Sequence, residues 1–135
     1  MDAYSTLIDV RDALNWEASG RNTSTWSNYF YLAVTPGNLS ASQLHTYVKS
    51  DLYNSQVPLI VSVNENVLPD WSGSSGSHLI AITGYDDNAG TYTYSETCDR
   101  TGVACNTQVV GHYNIGQQLL YSGIQNDNGN GGIVW

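Results

Sequence analysis

Three histidines, two cysteines and twelve carboxylates are the side chains of this 135-residue chain best suited to proton transfer or nucleophilic attack. One pair stands out by position. His78 opens the apolar run Leu79-Ile80-Ala81-Ile82, and Glu96 closes the alternating run Tyr92-Thr93-Tyr94-Ser95. Between them, Asp87-Asn88-Ala89-Gly90 has the composition of a tight turn. If the two runs pair as an antiparallel hairpin, the first residue of one lies beside the last residue of the other. A carboxylate so placed holds an imidazole in one tautomer and stabilises its protonated form, the orienting role in nucleophile–histidine–acid catalysis. The plainer alternative is a half-buried histidine hydrogen-bonded to a loop. Asp86 and Asp87 fall at the far end of the hairpin and cannot serve His78.

The other candidate groups offer less. His45 sits among polar residues of a helical pattern and reads as a solvated histidine. Cys98 and Cys105 enclose a short loop containing Gly102. They are either two buried thiols or a local disulfide, and a secreted composition favours the disulfide. His112 follows Cys105 too closely and without further ligands for a zinc site, so no metal is expected. The run Asp127-Asn128-Gly129-Asn130-Gly131 hints at a calcium loop but departs from the pattern. Gly129 stands at a ligand position and no glutamate follows.

The elements that must position His78 and Glu96 follow from periodicity. Thr6 to Glu17 reads as a helix capped by Thr6, with Leu7, Val10 and Leu14 on one face, ended by Ser19-Gly20. Tyr29 to Val34 is a short strand. Ser40 and Gln43 have capping-box spacing and start a helix to about Asn54, with Leu44, Val48 and Leu52 on one face. Leu59 to Val63 is a nearly continuous apolar run, the mark of a central strand buried on both sides. Asn64 to Ser77 is a long loop carrying Pro69, Trp71 and a Gly/Ser tract. Such loops in compact domains are usually functional or disordered, and Trp71 is expected to pack over something. Gln108 to Tyr113 reads as a strand, Asn114 as the cap of a helix ended by Gly123, and Ile133-Val134-Trp135 as a last strand.

Length and composition set the frame. The chain supports one domain with a real core. Charged residues make up only 12% while tyrosine numbers ten, a balance common in extracellular proteins. Net charge −8, with four scattered cations, argues against nucleic acid as a partner. No apolar run approaches the ~20 residues of a membrane span. Met1-Asp2-Ala3-Tyr4 does not begin a signal peptide. For a secreted protein, the natural N-terminus is therefore expected upstream.

Several blocks together resemble a known family. These are Pro58-Leu59-Ile60-Val61-Ser62-Val63, Leu68-Pro69-Asp70-Trp71, His78 through Asp87, and Tyr94-Ser95-Glu96-Thr97-Cys98. They are similar to the C-terminal half of the bacteriocin-processing cysteine peptidase-like family, within the papain-like superfamily, with many members secreted by actinobacteria. The His-apolar-Gly-Tyr-Asp block is the specific part. The resemblance implies an α+β fold, a single domain in which helices pack on an antiparallel sheet. It implies that His78 is the general base and that Glu96 stands where the family usually has Asp or Asn. Trp71 and Ser77 become candidates for the substrate cleft.

One departure bears on function. The family's nucleophilic cysteine lies near the N-terminus, at a helix start whose dipole lowers the thiol pKa. This chain has no cysteine before Cys98. The Gly73-Ser74-Ser75-Gly76-Ser77 tract lacks the strand-turn-helix setting of a serine nucleophile. The resemblance thus implies a secreted cysteine peptidase-like domain with base and orienting acid but without the family's nucleophile, needing no cofactor. The partner expected is a peptide or protein, with association through any surface left by a missing N-terminal helix. The alternative is an inactive peptide-binding or structural secreted module.

Overall fold

The computed structural model describes residues 7–20, 31–71, 75–96, 111–127 and 131–135. The fold is α+β, one six-stranded antiparallel sheet with three helices packed on it. In chain order the elements are α1 (Leu7–Ala18), β1 (Ala33–Val34), α2 (Ala41–Ser50), β2 (Leu59–Asn64), β3 (Ser77–Asp86), β4 (Thr91–Glu96), β5 (Gly111–Gly116), α3 (Gln117–Gln125) and β6 (Gly132–Val134). The strand order is β1-β6-β2-β3-β4-β5. The sheet interior is thus β6, β2, β3 and β4, with β6 inserted between β1 and β2.

Side chains alternate across a strand, so each strand offers one set to each face. Leu59, Val61 and Val63 of β2, Ile80 and Ile82 of β3, Tyr92 and Tyr94 of β4, Ile115 of β5 and Ile133 of β6 build the main core. Leu44 and Val48 of α2 and Leu120 and Ile124 of α3 close it from above. The smaller core lies on the other face, where Leu7 and Val10 of α1 pack with Val134, Ile60 and Leu79. The continuous apolar run of β2 is explained by these two covers. One face serves the main core and the other serves α1.

Local signals account for most element ends. Ser40 accepts from the Gln43 N–H, and the Gln43 side chain accepts from the Ser40 N–H at 2.8 Å, a complete capping box. α2 continues as a π-helical turn over Asp51–Ser55 that ends at Gln56 with φ +57°. The β3–β4 hairpin turns through Asp87–Gly90. Asp86 Oδ1 accepts from the Asn88 and Ala89 N–H groups, and Gly90 takes the left-handed φ of +65°. A bulge between Ile82 and Gly84 shifts the register within the hairpin.

Three expectations from the sequence are corrected. Asn114 does not cap a helix. It lies in β5, where its side chain accepts from the Thr93 hydroxyl at 2.9 Å, and the strand runs on to seat Ile115 in the core. Gly123 does not end α3, which continues to Gln125. It is buried mid-helix, where a β-carbon would lie 2.7 Å from Val63 Cγ2 and would also meet Val67. Close helix–sheet approach, rather than helix termination, requires glycine there. The expected strand from Tyr29 is a two-residue β1, its first residues lying outside those described. Thr6 and residues 108–110 also lie outside the described residues.

Candidate functional site

The long β2–β3 connection is stapled at its base. The Glu65 N–H donates to the Gly76 carbonyl at 2.9 Å, and the Gly76 N–H donates to Glu65 Oε1 at 2.8 Å. The Asn64 side chain accepts from the Asn66 N–H and starts a short 3-10 turn over Glu65–Val67. The Trp71 N–H then bonds to the Leu68 carbonyl. These bonds deliver Asp70 and Trp71 over the ends of β3 and β4.

There, His78 Nε2 lies 2.7 Å from Glu96 Oε1. The hairpin places them so. The bulge pairs Ala81 with Ser95, so the even-numbered side chains of β4 and those of β3 up to Ile82 point to the main core. The Glu96 side chain is sealed from solvent, and the His78 side chain is 14% exposed. The other Glu96 oxygen, Oε2, accepts from the indole Nε1–H of Trp71 at 3.0 Å. The Trp71 and His78 rings lie 4.8 Å apart between centroids, tilted by 50°. Buried carboxylates require compensating donors, and Glu96 has one on each oxygen. With Nε2–H donated to Glu96, the Nδ1 lone pair is left over, and Nδ1 makes no hydrogen bond among the described residues. A neutral imidazole held in this tautomer can accept a proton at Nδ1.

A further carboxyl group belongs to the cluster. Asp70 Oδ1 accepts a short hydrogen bond from the Tyr94 hydroxyl. Burial raises the Asp70 pKa above the ordinary aspartate value, the Tyr94 bond opposes this, and the neighbouring Glu96 carboxyl adds to the rise. Burial and the Asp70 carboxylate together push the Tyr94 phenol far above its ordinary value. Tyr113 stacks on Tyr94, with ring centroids 5.7 Å apart.

Among the residues singled out from the sequence, His78, Glu96 and Trp71 are brought together. Trp71 packs onto the imidazole, as a tryptophan in that loop should, but its indole lies buried against the acid, where it orders Glu96. Ser77 is not in this cluster. It projects to the opposite face, where its hydroxyl donates to Asp127 Oδ2 at 2.8 Å and meets the Ser62 hydroxyl at 3.2 Å. Ser62 also donates to Asp127 Oδ2, at 3.0 Å. Asp127, the first residue of the calcium-like run, is thus a buried partner of two serines. Its pKa is raised by burial, the serines opposing and Glu65 adding. Residues 128–130 lie outside the described residues, as do Cys98 and Cys105, so the expected disulfide lies outside them too. Among the described residues no three His, Cys, Asp or Glu side chains gather as metal ligands, and no helix is long and apolar enough to cross a membrane.

His45 is corrected from a solvated residue to a half-buried bridge. Its Nδ1 lies 3.1 Å from the Tyr92 hydroxyl and its Nε2 3.0 Å from Asp87 Oδ1. Lys49 donates to the other Asp87 oxygen at 3.0 Å and lies over the Tyr85 ring. The hydrogen bond to Asp87 raises the Lys49 pKa. Burial, with the Asp87 charge, pushes the Tyr92 phenol up to about 12. This second cluster ties α2 to the hairpin turn, at the opposite end of the strands from His78.

No family model, no curated protein and no solved structure matches this chain.

Proposed function

We propose that this chain supplies the general base and orienting acid of a papain-like, thiol-dependent hydrolase acting on peptide or related amide bonds. The observation that carries the reading is the buried 2.7 Å contact between His78 Nε2 and Glu96 Oε1, with Nδ1 left as the free base. In the reaction, a cysteine thiol transfers its proton to His78 Nδ1 as sulfur attacks the carbonyl carbon. The imidazolium then forms beside Glu96, which offsets its charge. The proton passes to the leaving amine as the C–N bond breaks, and water, deprotonated by His78, releases the acid and regenerates the thiol. The thiol belongs to a segment preceding this sequence, to another chain, or to Cys98 or Cys105.

The test is peptide hydrolysis by the full-length natural gene product, read by mass spectrometry on a mixed peptide pool, for wild type and His78→Ala. Cleavage that is blocked by a thiol alkylator and lost in His78→Ala supports the reading. Cleavage that survives His78→Ala and alkylation overturns it. The second reading, a secreted peptide-binding module, is favoured by the way Trp71 seals the Glu96 side of the histidine. It is upheld if peptides bind without turnover and His78→Ala leaves that binding unchanged.

A further inference from the structure

Glu96 has a neighbour that the hydrolase chemistry leaves unused. Asp70 reaches the cluster from the β2–β3 connection, with Oδ1 bonded to the Tyr94 hydroxyl. Its Oδ2 is buried and receives no hydrogen bond. Asp70 precedes Trp71, whose indole bonds Glu96, and it binds Tyr94, two residues before Glu96 on the same face of β4, so the buried Glu96 carboxyl belongs to the same cluster. Among the described residues, the titratable groups that face this pair are His78 from β3, Tyr94 from β4, and Tyr113 behind Tyr94 from β5, and none of these is a permanent cation. Two ionised carboxylates in one buried site repel strongly, and such pairs resolve the conflict by keeping one proton between them.

Which carboxyl keeps the proton follows from the donors. Glu96 already accepts from two N–H groups, Trp71 Nε1–H and His78 Nε2–H, both of which favour its charged form. Asp70 accepts from one neutral hydroxyl and has one oxygen with no donor. A proton on that oxygen removes the unpartnered buried acceptor and gives Glu96 a further donor. The direction of the Asp70 shift agrees.

We propose that Asp70 is a positioning residue that holds a proton on Oδ2 and donates it to Glu96, keeping Glu96 as the single ionised carboxylate beside His78. The arrangement makes the acid–base pair pH-regulated from behind. While Asp70 is protonated, Glu96 is held by Asp70 together with Trp71 and His78. Once Asp70 ionises, the two carboxylates repel, and Glu96 loses both a donor and its fixed place against Nε2. The inference deepens the role proposed for His78 and Glu96, but its test needs no turnover. Loss of the hydrolase reading therefore leaves the test standing.

The experiment is NMR on the intact chain. In wild type, the Asp70 carboxyl carbon is expected to keep its protonated chemical shift at a pH where exposed aspartates are already ionised. If Asp70 titrates with the exposed aspartates, the proposal is overturned. Asp70→Asn supplies the second measurement, because its amide reproduces the neutral acid, accepting from Tyr94 and donating to Glu96. The indole N–H resonance of Trp71 should then move less with rising pH than it does in wild type. An indole resonance in Asp70→Asn that moves with pH as in wild type would count against Asp70 as the group that loosens Glu96. Asp70→Ala, which removes the donor without reproducing it, should broaden or lose the His78 Nε2–H resonance, and an unchanged resonance there would overturn the positioning role.

Discussion

The Trp71 indole and the His78 imidazole share one acceptor. Trp71 Nε1–H donates to Glu96 Oε2 at 3.0 Å, and His78 Nε2 lies 2.7 Å from Glu96 Oε1. The carboxylate therefore fixes two rings at once, and the rings lie against each other at a tilt of 50°. Loss of Glu96 should be felt by both. Glu96→Gln keeps the shape but puts an N–H₂ where an acceptor is needed, leaving one buried donor facing another. The expected cost is about 1–3 kcal/mol, the usual penalty for an unsatisfied buried polar group. Urea denaturation measures it, and the Trp71 indole N–H resonance should move upfield in the same variant.

Gly123 sets how closely α3 approaches the sheet. Gly123→Ala should destabilise by roughly 1–3 kcal/mol, the cost of overpacking a filled core. The new methyl would fall on Val63 and Val67. Gly37→Ala, where a β-carbon meets nothing within 4 Å, is the control and should change stability little. Thermal denaturation of both variants against wild type checks the contrast.

The capping box at Ser40 gives a smaller, independent expectation. Ser40→Ala removes the acceptor for the Gln43 N–H, and about 1 kcal/mol should be lost. Chemical denaturation reads the loss directly. His45 is held by Tyr92 and Asp87 of the hairpin and not by the cap, so its bridge to Asp87 should survive in this variant.

Stability should fall as pH rises through the mildly acidic range. The Asp51, Asp70 and Asp127 carboxyls all have folded-state pKa values raised by burial. Above the unfolded value of about 3.9 the unfolded chain releases these protons while the folded chain keeps them. Their contribution is full below that value and disappears as pH passes the raised folded values. Tm measured stepwise from pH 4 upward should therefore decline, and Asp127→Asn should flatten part of the decline. A second fall belongs to Tyr92, whose phenol is pushed up to about 12. It runs from about pH 10, where an unfolded tyrosine ionises, until the folded phenol ionises, and Tyr92→Phe should reduce it.

Cys98 and Cys105 decide between two chemistries. Alkylation of the unreduced protein followed by mass measurement should find no free thiol if the pair is bridged. In that case any nucleophile comes from outside this sequence. Two modified cysteines would instead mark Cys98 or Cys105 as a candidate thiol for His78.

What could be read from the sequence is what hairpin arithmetic and local capping control. That His78 and Glu96 lie at one end of the sheet followed from two strand lengths and a turn between them, whereas their sharing a face depends on the bulge between Ile82 and Gly84, which pairs Ala81 with Ser95 and which side-chain alternation alone does not place. The capping box at Ser40 followed from short-range hydrogen bonding. Asp70 and Tyr94 could not be paired from the sequence. Their contact depends on the path of a loop whose direction is set by the Glu65–Gly76 staple. Asn114 and Gly123 were misread for a related reason. Helix-end preferences are worth about 1 kcal/mol, and the packing of Ile115 and the close approach of α3 to β2 outweigh them. His45 looked solvated because its partners, Tyr92 and Asp87, come from a distant hairpin.

The place of β6 has a consequence for the order in which the molecule can assemble. Residue 33 pairs with residue 134, and β1 has no sheet neighbour among the described strands except β6. During synthesis the β2–β3–β4 meander can pair as it emerges. β1 and the face that α1 covers must wait for β6. That long-range closure adds little cost at equilibrium, since loop entropy grows only with the logarithm of length, but it raises the contact order and slows folding. Until it happens, the β2 edge and its apolar flank stay open to other chains.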